Sequence, residues 1–371
     1  MPQSTVRPEI AAFKPYEPGL SIEEIRERYG VTRVIKMASN ENPLGASPVV
    51  RRALEAAAET AYRYPAAGTP RLNRAIAEHL GTDPARIVSG NGSDEIIDLL
   101  VRVKARPGRD NVVAFKPCFS MYELQSRLCG VEFRQTPLGE DFAFDFDGLL
   151  DKTDENTAIC FVTSPDNPSG LAATADELAE LARALPEQCL LVADEAYVEF
   201  TGDEEKYSLV PRLDELENVA VLRTFSKMYG LAGLRLGYGV LPPWLADLLM
   251  RVKLPFSVGL LAEAGGLAAL KDRDFAHMTI KTVAEGRDFL TRELTDIGCR
   301  VLPSMANFLL FYLPKDADIT ADGVFEELLK RGIILRPLTS YGLPDALRVT
   351  VGTALENREL LRELKGVLGH G

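Results

Sequence analysis

The stretch that decides the reading of this chain is Arg223-Thr224-Phe225-Ser226-Lys227-Met228-Tyr229-Gly230-Leu231-Ala232-Gly233-Leu234-Arg235-Leu236-Gly237-Tyr238-Gly239. The apolar run from Glu217 to Arg223 before it reads as a buried strand, and Arg235 to Leu241 after it as a second. The loop between them carries one lysine. A lysine at the end of a core strand is a poor choice for stability, because an unpaired buried ammonium is costly. It makes sense if the amine is used: partial burial lowers its pKa and lets it attack a carbonyl to form a Schiff base.

The alternative is a surface lysine beside a strand. Lys227 is not alone, however. Thr224, Ser226 and Arg235 offer two hydroxyls and a fixed cation, the groups that a phosphate ester requires. A reactive lysine beside a phosphate cradle suggests pyridoxal 5'-phosphate, held at its aldehyde and at its phosphate.

Ser226-Lys227 followed eight residues later by Arg235 resembles the cofactor-lysine segment of the fold-type I pyridoxal-phosphate aminotransferases. The longer string, with Ala-Gly-Leu-Arg-Leu-Gly, is similar to their histidinol-phosphate branch. Six other places agree with it. Asn40-Glu41-Asn42-Pro43 resembles a loop at the mouth of the family's active site. Arg63-Tyr64-Pro65 resembles a motif whose tyrosine reaches the phosphate in the neighbouring subunit; on its own, Tyr64 reads as a packing residue. Gly90-Asn91-Gly92-Ser93-Asp94-Glu95 precedes an apolar helical spacing, with Ser93 where an N-cap belongs. Free amides and the helix dipole there favour an anion, and the string resembles the family's phosphate loop.

Pro117-Cys118-Phe119 occupies the place of a motif whose first aromatic stacks on the cofactor ring. Phe119 keeps the stacking face without a hydroxyl, and as a pattern alone it reads equally as core. Ser164-Pro165-Asp166-Asn167-Pro168 follows an apolar strand, where open α/β sheets place ligands. The resemblance makes Asn167 the amide that meets the cofactor's phenolic oxygen, and one X-Pro bond in this turn is expected to be cis. Asp194-Glu195-Ala196-Tyr197 ends another strand. Asp194 reads either as a helix cap or, by the resemblance, as the partner of the pyridinium nitrogen, with Tyr197 beside Asn167. Near the C-terminus, Arg336 and Arg348 resemble the arginines that bind substrate phosphate and carboxylate; Arg336 alone reads as a surface ion-pair residue. The resemblance also places Tyr16 and Asn40 at the substrate.

The alternation of strand and helix from 87 to 240 argues for a mostly parallel sheet between helices. The expected fold is therefore α/β, of the fold-type I transferase kind, with a large domain at 46–272 and a smaller α+β domain at 273–371. Residues 1–45 form a Pro-rich arm and part of the small domain. Within it, Ser21 and Glu24 are set as a capping box. A helix is expected from Pro48 to about Tyr62 and a strand from Ile333 to Arg336.

Composition narrows the function further. Fifty-four acidic against 42 basic residues give a net charge of −12, which argues against a nucleic-acid groove. Five cysteines without a Cys-x-x-Cys pair fit free thiols in a reducing compartment, and three histidines make no credible metal site. No apolar run reaches the length of a membrane span. A cytoplasmic location is expected.

The activity that the resemblance implies is transamination of histidinol phosphate with 2-oxoglutarate, giving glutamate, in a homodimer with shared active sites. Lys227, Asp194 and Tyr197 would carry the chemistry. Rival readings are an aromatic amino acid aminotransferase and a phosphothreonine-type decarboxylase with the same cofactor. A transcriptional regulator on the same body would need a basic helix-turn-helix before residue 39, and none is seen. A nicotinamide dehydrogenase would need Gly-x-Gly-x-x-Gly after a strand, also not seen.

Overall fold

The computed structural model describes Ile10, Phe13 and residues 20–369. The Ser21 capping box forms as read: Ser21 Oγ accepts the Glu24 N–H and Glu24 returns a bond to the Ser21 N–H. A first short strand, β1 (Ile35–Lys36), follows.

The central sheet has seven strands: β2 (Ile87–Asn91), β3 (Asn111–Lys116), β4 (Glu132–Pro137), β5 (Thr157–Thr163), β6 (Leu190–Asp194), β7 (Val219–Thr224) and β8 (Leu236–Val240). Their order is β2-β8-β7-β6-β5-β3-β4. Only β8 runs against its neighbours. Strands β5, β6 and β7 are buried along their whole length. Both faces are covered, which is why these strands read as continuous apolar runs instead of alternating ones. Because β8 alone is reversed, its first residue lies at the same edge as the C-terminal ends of β2, β5, β6 and β7. Thr163, Asp194, Thr224 and Arg235 thus arrive at one place from four separate stretches of sequence.

A buried ionic cluster fastens that edge. Arg223 on β7 donates through Nε to Glu195 Oε2 at 2.9 Å, and through its two other nitrogens to Glu204 and Ser208 at 2.9 Å each. Glu195 follows Asp194 directly, so the ends of β6 and β7 are held in fixed relation. Removing one partner of such a pair leaves an uncompensated buried charge, at a cost of about 3–5 kcal/mol.

The remaining strands are β9 (Arg300–Val301), β10 (Phe308–Tyr312), β11 (Ile333–Ile334), β12 (Arg336–Leu338) and β13 (Leu343–Thr350). Four of them make an antiparallel sheet in the order β12-β13-β10-β9, while β11 pairs in parallel with β1. The 24-residue helix Arg273–Asp296 leads from the large sheet to this region. Its N-cap Asp272 accepts a 2.5 Å bond from Ser47, which itself caps the helix Pro48–Ala58. One hydrogen bond therefore ties the two places where the chain passes between the sheets.

Four local expectations need correction or completion. The helix after Ser47 stops at Ala58, short of Tyr62, and residues 59–62 continue as turns. The strand expected over 333–336 is split, β11 and β12 pairing with different neighbours. Ser93 is not the N-cap: the helix runs Gly92–Lys104. Gly92, at φ 73°, turns the chain into the helix itself, with its N–H donating to the Arg235 carbonyl at 2.9 Å. A cis bond is present at Ser164–Pro165, as expected, and another at Lys116–Pro117. The five cysteines are free thiols. Among the described residues no helix is long and apolar enough to cross a membrane.

Candidate active site

The shared sheet edge opens onto a cavity of about 280 Å³. Lys227, Asp194, Tyr197, Asn167 and Phe119 line it, together with Ser93, Asp94, Thr224, Ser226 and Arg235. Ser39, Glu41, Thr163, Ala196 and Ala232 complete the wall.

Lys227 sits in the loop between β7 and β8. Its Nζ donates to the Ser39 carbonyl at 3.3 Å and lies 5.6 Å from the centre of the Tyr197 ring. Among the described residues no carboxylate forms an ion pair with it. Burial, seconded by the positive charge of Arg348, lowers its pKa from 10.5 to about 8. Only the neutral amine attacks an aldehyde. The rate at which the apo protein takes up pyridoxal phosphate should therefore rise with pH and level off above about 8. A stopped-flow pH series checks this, and a rise that continues toward 10.5 would contradict the lowered pKa.

Asp194 is buried at the end of β6. Its Oδ2 accepts the Tyr122 hydroxyl at 2.7 Å, and its Oδ1 accepts the Ala196 N–H at 3.2 Å. Burial raises its pKa to about 6, so the group is mainly ionised at neutral pH. Tyr122 also meets Thr163 Oγ1 at 2.8 Å and stacks on Phe161 with centroids 4.3 Å apart. The sequence alone gives Tyr122 no role. Its position in the first turn of the helix Ser120–Leu128, three residues after the N-cap Phe119, is the available signal.

Asn40 adopts φ 54° and connects three segments. Its Nδ2 donates to the Tyr197 hydroxyl at 3.1 Å, its Oδ1 accepts the Thr350 hydroxyl at 3.1 Å, and its carbonyl accepts from Asn307 Nδ2 at 3.0 Å. Arg348 enters from β13. One of its terminal nitrogens donates to Asn167 Oδ1 at 2.5 Å and the other to the Ala38 carbonyl at 2.9 Å. Its Nε is buried without a partner among the described residues. Arg336 stands directly opposite Arg348 in the β12–β13 register. Opposed residues of an antiparallel pair share a face, and two like charges there are unfavourable until an anion joins them.

At the other end, Arg235 donates to Asp94 Oδ2 at 3.0 Å, both side chains being half exposed. A Cβ on Gly92 would fall 2.6 Å from an Arg235 nitrogen, and one on Gly237 would fall 2.3 Å from the Ser93 nitrogen. The two glycines thus let a guanidinium and the opening amides of the helix Gly92–Lys104 approach one another. Thr224 and Ser226 add hydroxyls; the Ser226 N–H is already bonded to Thr224 Oγ1 at 3.1 Å. This cradle has the shape and donor set for a phosphate ester.

Five expected residues are not on the cavity wall. Asn40 and Arg348 stand behind it, bonded to the lining residues Tyr197 and Asn167. Glu95 turns back so that its Oε2 accepts the Asn91 N–H at 2.6 Å, because the first turn of the helix needs an acceptor there. Tyr64 is 82% exposed and stacks on Phe256 with centroids 4.9 Å apart. Arg336 does not line the wall either, although it is beside Arg348. Tyr16 lies outside the described residues.

The family model for aminotransferase class I and II matches residues 32–364, and the chain belongs to that family. This chain is an aminotransferase. Along its full length it is similar to proteins named histidinol-phosphate aminotransferase. That of Nitratidesulfovibrio vulgaris strain Hildenborough is 60% identical over 98% of this chain and 97% of its own length. That of Oleidesulfovibrio alaskensis is 57% identical, covering 98% and 95%. The crystal structure of histidinol-phosphate aminotransferase from Sinorhizobium meliloti, in complex with pyridoxal-5'-phosphate, superposes with a TM-score of 0.88 at 29% identity, covering 99% of this chain and 98% of that one.

Proposed function

We propose that this chain transfers the amino group of L-histidinol phosphate to 2-oxoglutarate, giving imidazole-acetol phosphate and L-glutamate, in histidine biosynthesis, with pyridoxal 5'-phosphate in the cavity. The observation that carries the reading is the meeting, in one cavity, of a lysine shifted to about 8, a buried carboxylate and a glycine-lined anion cradle. The full-length similarity to named histidinol-phosphate aminotransferases supports the substrate.

When bound, pyridoxal phosphate supplies an aldehyde for amines and a ring that accepts the electron pair left at the substrate carbon. Lys227 would hold that aldehyde and, once freed, take and return the proton at its Nζ. A pKa near neutrality suits both directions of that transfer. Asp194 would face the ring nitrogen as a carboxylate, oriented by Tyr122 and the Ala196 N–H. Asn167 and Tyr197 would face the phenolic oxygen, and Phe119 the ring. Ser93, Thr224, Ser226 and Arg235, with the backbone N–H of Asp94, would hold the phosphate. Arg348 and Arg336 would receive the substrate's phosphate or carboxylate, since a guanidinium meets either anion in bidentate fashion. Asn40 would set the substrate side of Tyr197.

We also propose a working homodimer, in which Tyr64 serves the partner's phosphate site. Tyr62, Tyr64, Val252, Leu254 and Phe256 are exposed apolar side chains, and Tyr64 and Phe256 stack on each other. Sedimentation at the mass of one chain would contradict this. The division into 46–272 and 273–371, with 1–45 joining the smaller part, is supported by the β1–β11 pairing and by the Ser47–Asp272 bond at both boundaries. A cytoplasmic location is proposed with it.

A half-reaction survey tests the substrate. Holoenzyme is mixed separately with histidinol phosphate, glutamate, phenylalanine and tyrosine, and the cofactor's absorbance is followed. Fast change with histidinol phosphate and glutamate is expected. A fast response to phenylalanine and none to histidinol phosphate would make the chain an aromatic aminotransferase; release of carbon dioxide would make it a decarboxylase.

A further inference from the structure

One buried charge pair lies beside the cavity without lining it. The Lys253 side chain, just past the helix Pro243–Val252, is 4% exposed, and its Nζ is 3.9 Å from Glu95 Oε2. The same Nζ donates to Ser257 Oγ. Burying such a pair is expensive, and apolar residues of similar volume often serve stability as well or better. Its value must lie in what it holds.

What it holds is the turn Asn91-Gly92. Glu95 Oε2 accepts the Asn91 N–H at 2.6 Å, and Asn91 Nδ2 donates to the Ser257 carbonyl at 3.2 Å. The Gly92 N–H donates to the Arg235 carbonyl at 2.9 Å. The turn is therefore pinned on one side by Arg235, just before β8, and on the other by the 253–257 segment, and Glu95 is the member common to the turn and that segment's ammonium. The next residue, Ser93, begins the run of helix N–H groups that faces the cradle.

We infer that Glu95 and Lys253 are positioning residues for the anion cradle. Their ion pair fixes the Asn91-Gly92 turn and so aims the first-turn amides of the helix before any phosphate arrives. Neither side chain touches the phosphate. Fixed dipoles of this kind need no reorganisation when the anion binds, which is where their advantage over water lies. The inference rests on the reading of this cavity as a pyridoxal phosphate site.

The test titrates apo protein separately with pyridoxal phosphate and with pyridoxal, which lacks the phosphate. Glu95→Gln keeps shape and removes the charge; Lys253→Met removes the ammonium. Each should weaken pyridoxal phosphate binding about tenfold, an ordinary size for coupling between sites, and leave pyridoxal binding unchanged. The double variant should be no worse than the weaker single one, because both act through one pair. Retained pyridoxal binding shows that the fold is intact, and Glu95→Gln carries the test by itself if Lys253→Met does not fold. Equal loss of both ligands, or no loss of either, overturns the inference. If the unsubstituted protein itself binds both ligands equally, the cavity reading has failed instead.

Discussion

Lys227→Ala protein will bind pyridoxal phosphate weakly and transaminate no measurable substrate. The expected loss in kcat is about 10⁴-fold or more, the upper end of what one positioned acid–base group supplies. Two functions disappear together. On the proposed reading, the amine that would hold the aldehyde is gone, and so is the group that would carry the proton between the substrate carbon and the cofactor. The cradle of Arg235, Ser93 and Thr224 is separate from the amine, so phosphate affinity persists in part. Single-turnover absorbance, with cofactor and amine donor in excess, measures what remains. Turnover within tenfold of the unsubstituted protein would reject the role given to Lys227.

The second large effect falls on Asp194→Asn. The amide has nearly the same shape and can still accept the Tyr122 hydroxyl, which now lies 2.7 Å from Oδ2. It cannot bear the negative charge. A ring nitrogen facing it, as proposed, would lose the partner that would keep it protonated, and the ring would be a weaker electron acceptor. A fall in kcat of about 10³-fold is expected, comparable with loss of a strong preorganised electrostatic contact, with little change in KM. A large rise in KM with kcat preserved would show instead that Asp194 only binds. Tyr122→Phe should cost far less, because Asp194 keeps the Ala196 N–H and its charge.

Much of this was legible before the fold was known, for a definite reason. Lys227 and Asn167 follow a buried strand and Asp194 ends one, each with an apolar run plain in the sequence, so their places at one sheet edge follow from strand direction alone. The Ser164–Pro165 turn and the positive φ of Gly92 are local requirements of backbone geometry, and local requirements leave local signatures; the need for Gly237 is set by the distant Ser93 nitrogen and leaves none. Tyr122 as the partner of Asp194 was not legible, since the contact joins residues 72 apart in the chain. Glu95 was misplaced for a related reason. Its spacing within a glycine-rich loop suited a ligand contact, whereas the turn's own unsatisfied N–H claimed the carboxylate, and the burial of Lys253 behind it leaves no mark on a sequence. Ser93 failed as a cap because Gly92 already makes the turn. Arg336 and Arg348 could be named, but their register across β12–β13 emerges only from the sheet pairing.

The central claim is that one amine, Lys227, is where this chain holds its cofactor. Reconstituted protein is reduced with borohydride, digested, and the labelled peptide is sequenced. A single pyridoxyl label on Lys227, with loss of the yellow absorbance on reduction, is the predicted result. A label on Lys253, Lys36 or any other amine, or no chromophore after reconstitution, would contradict it.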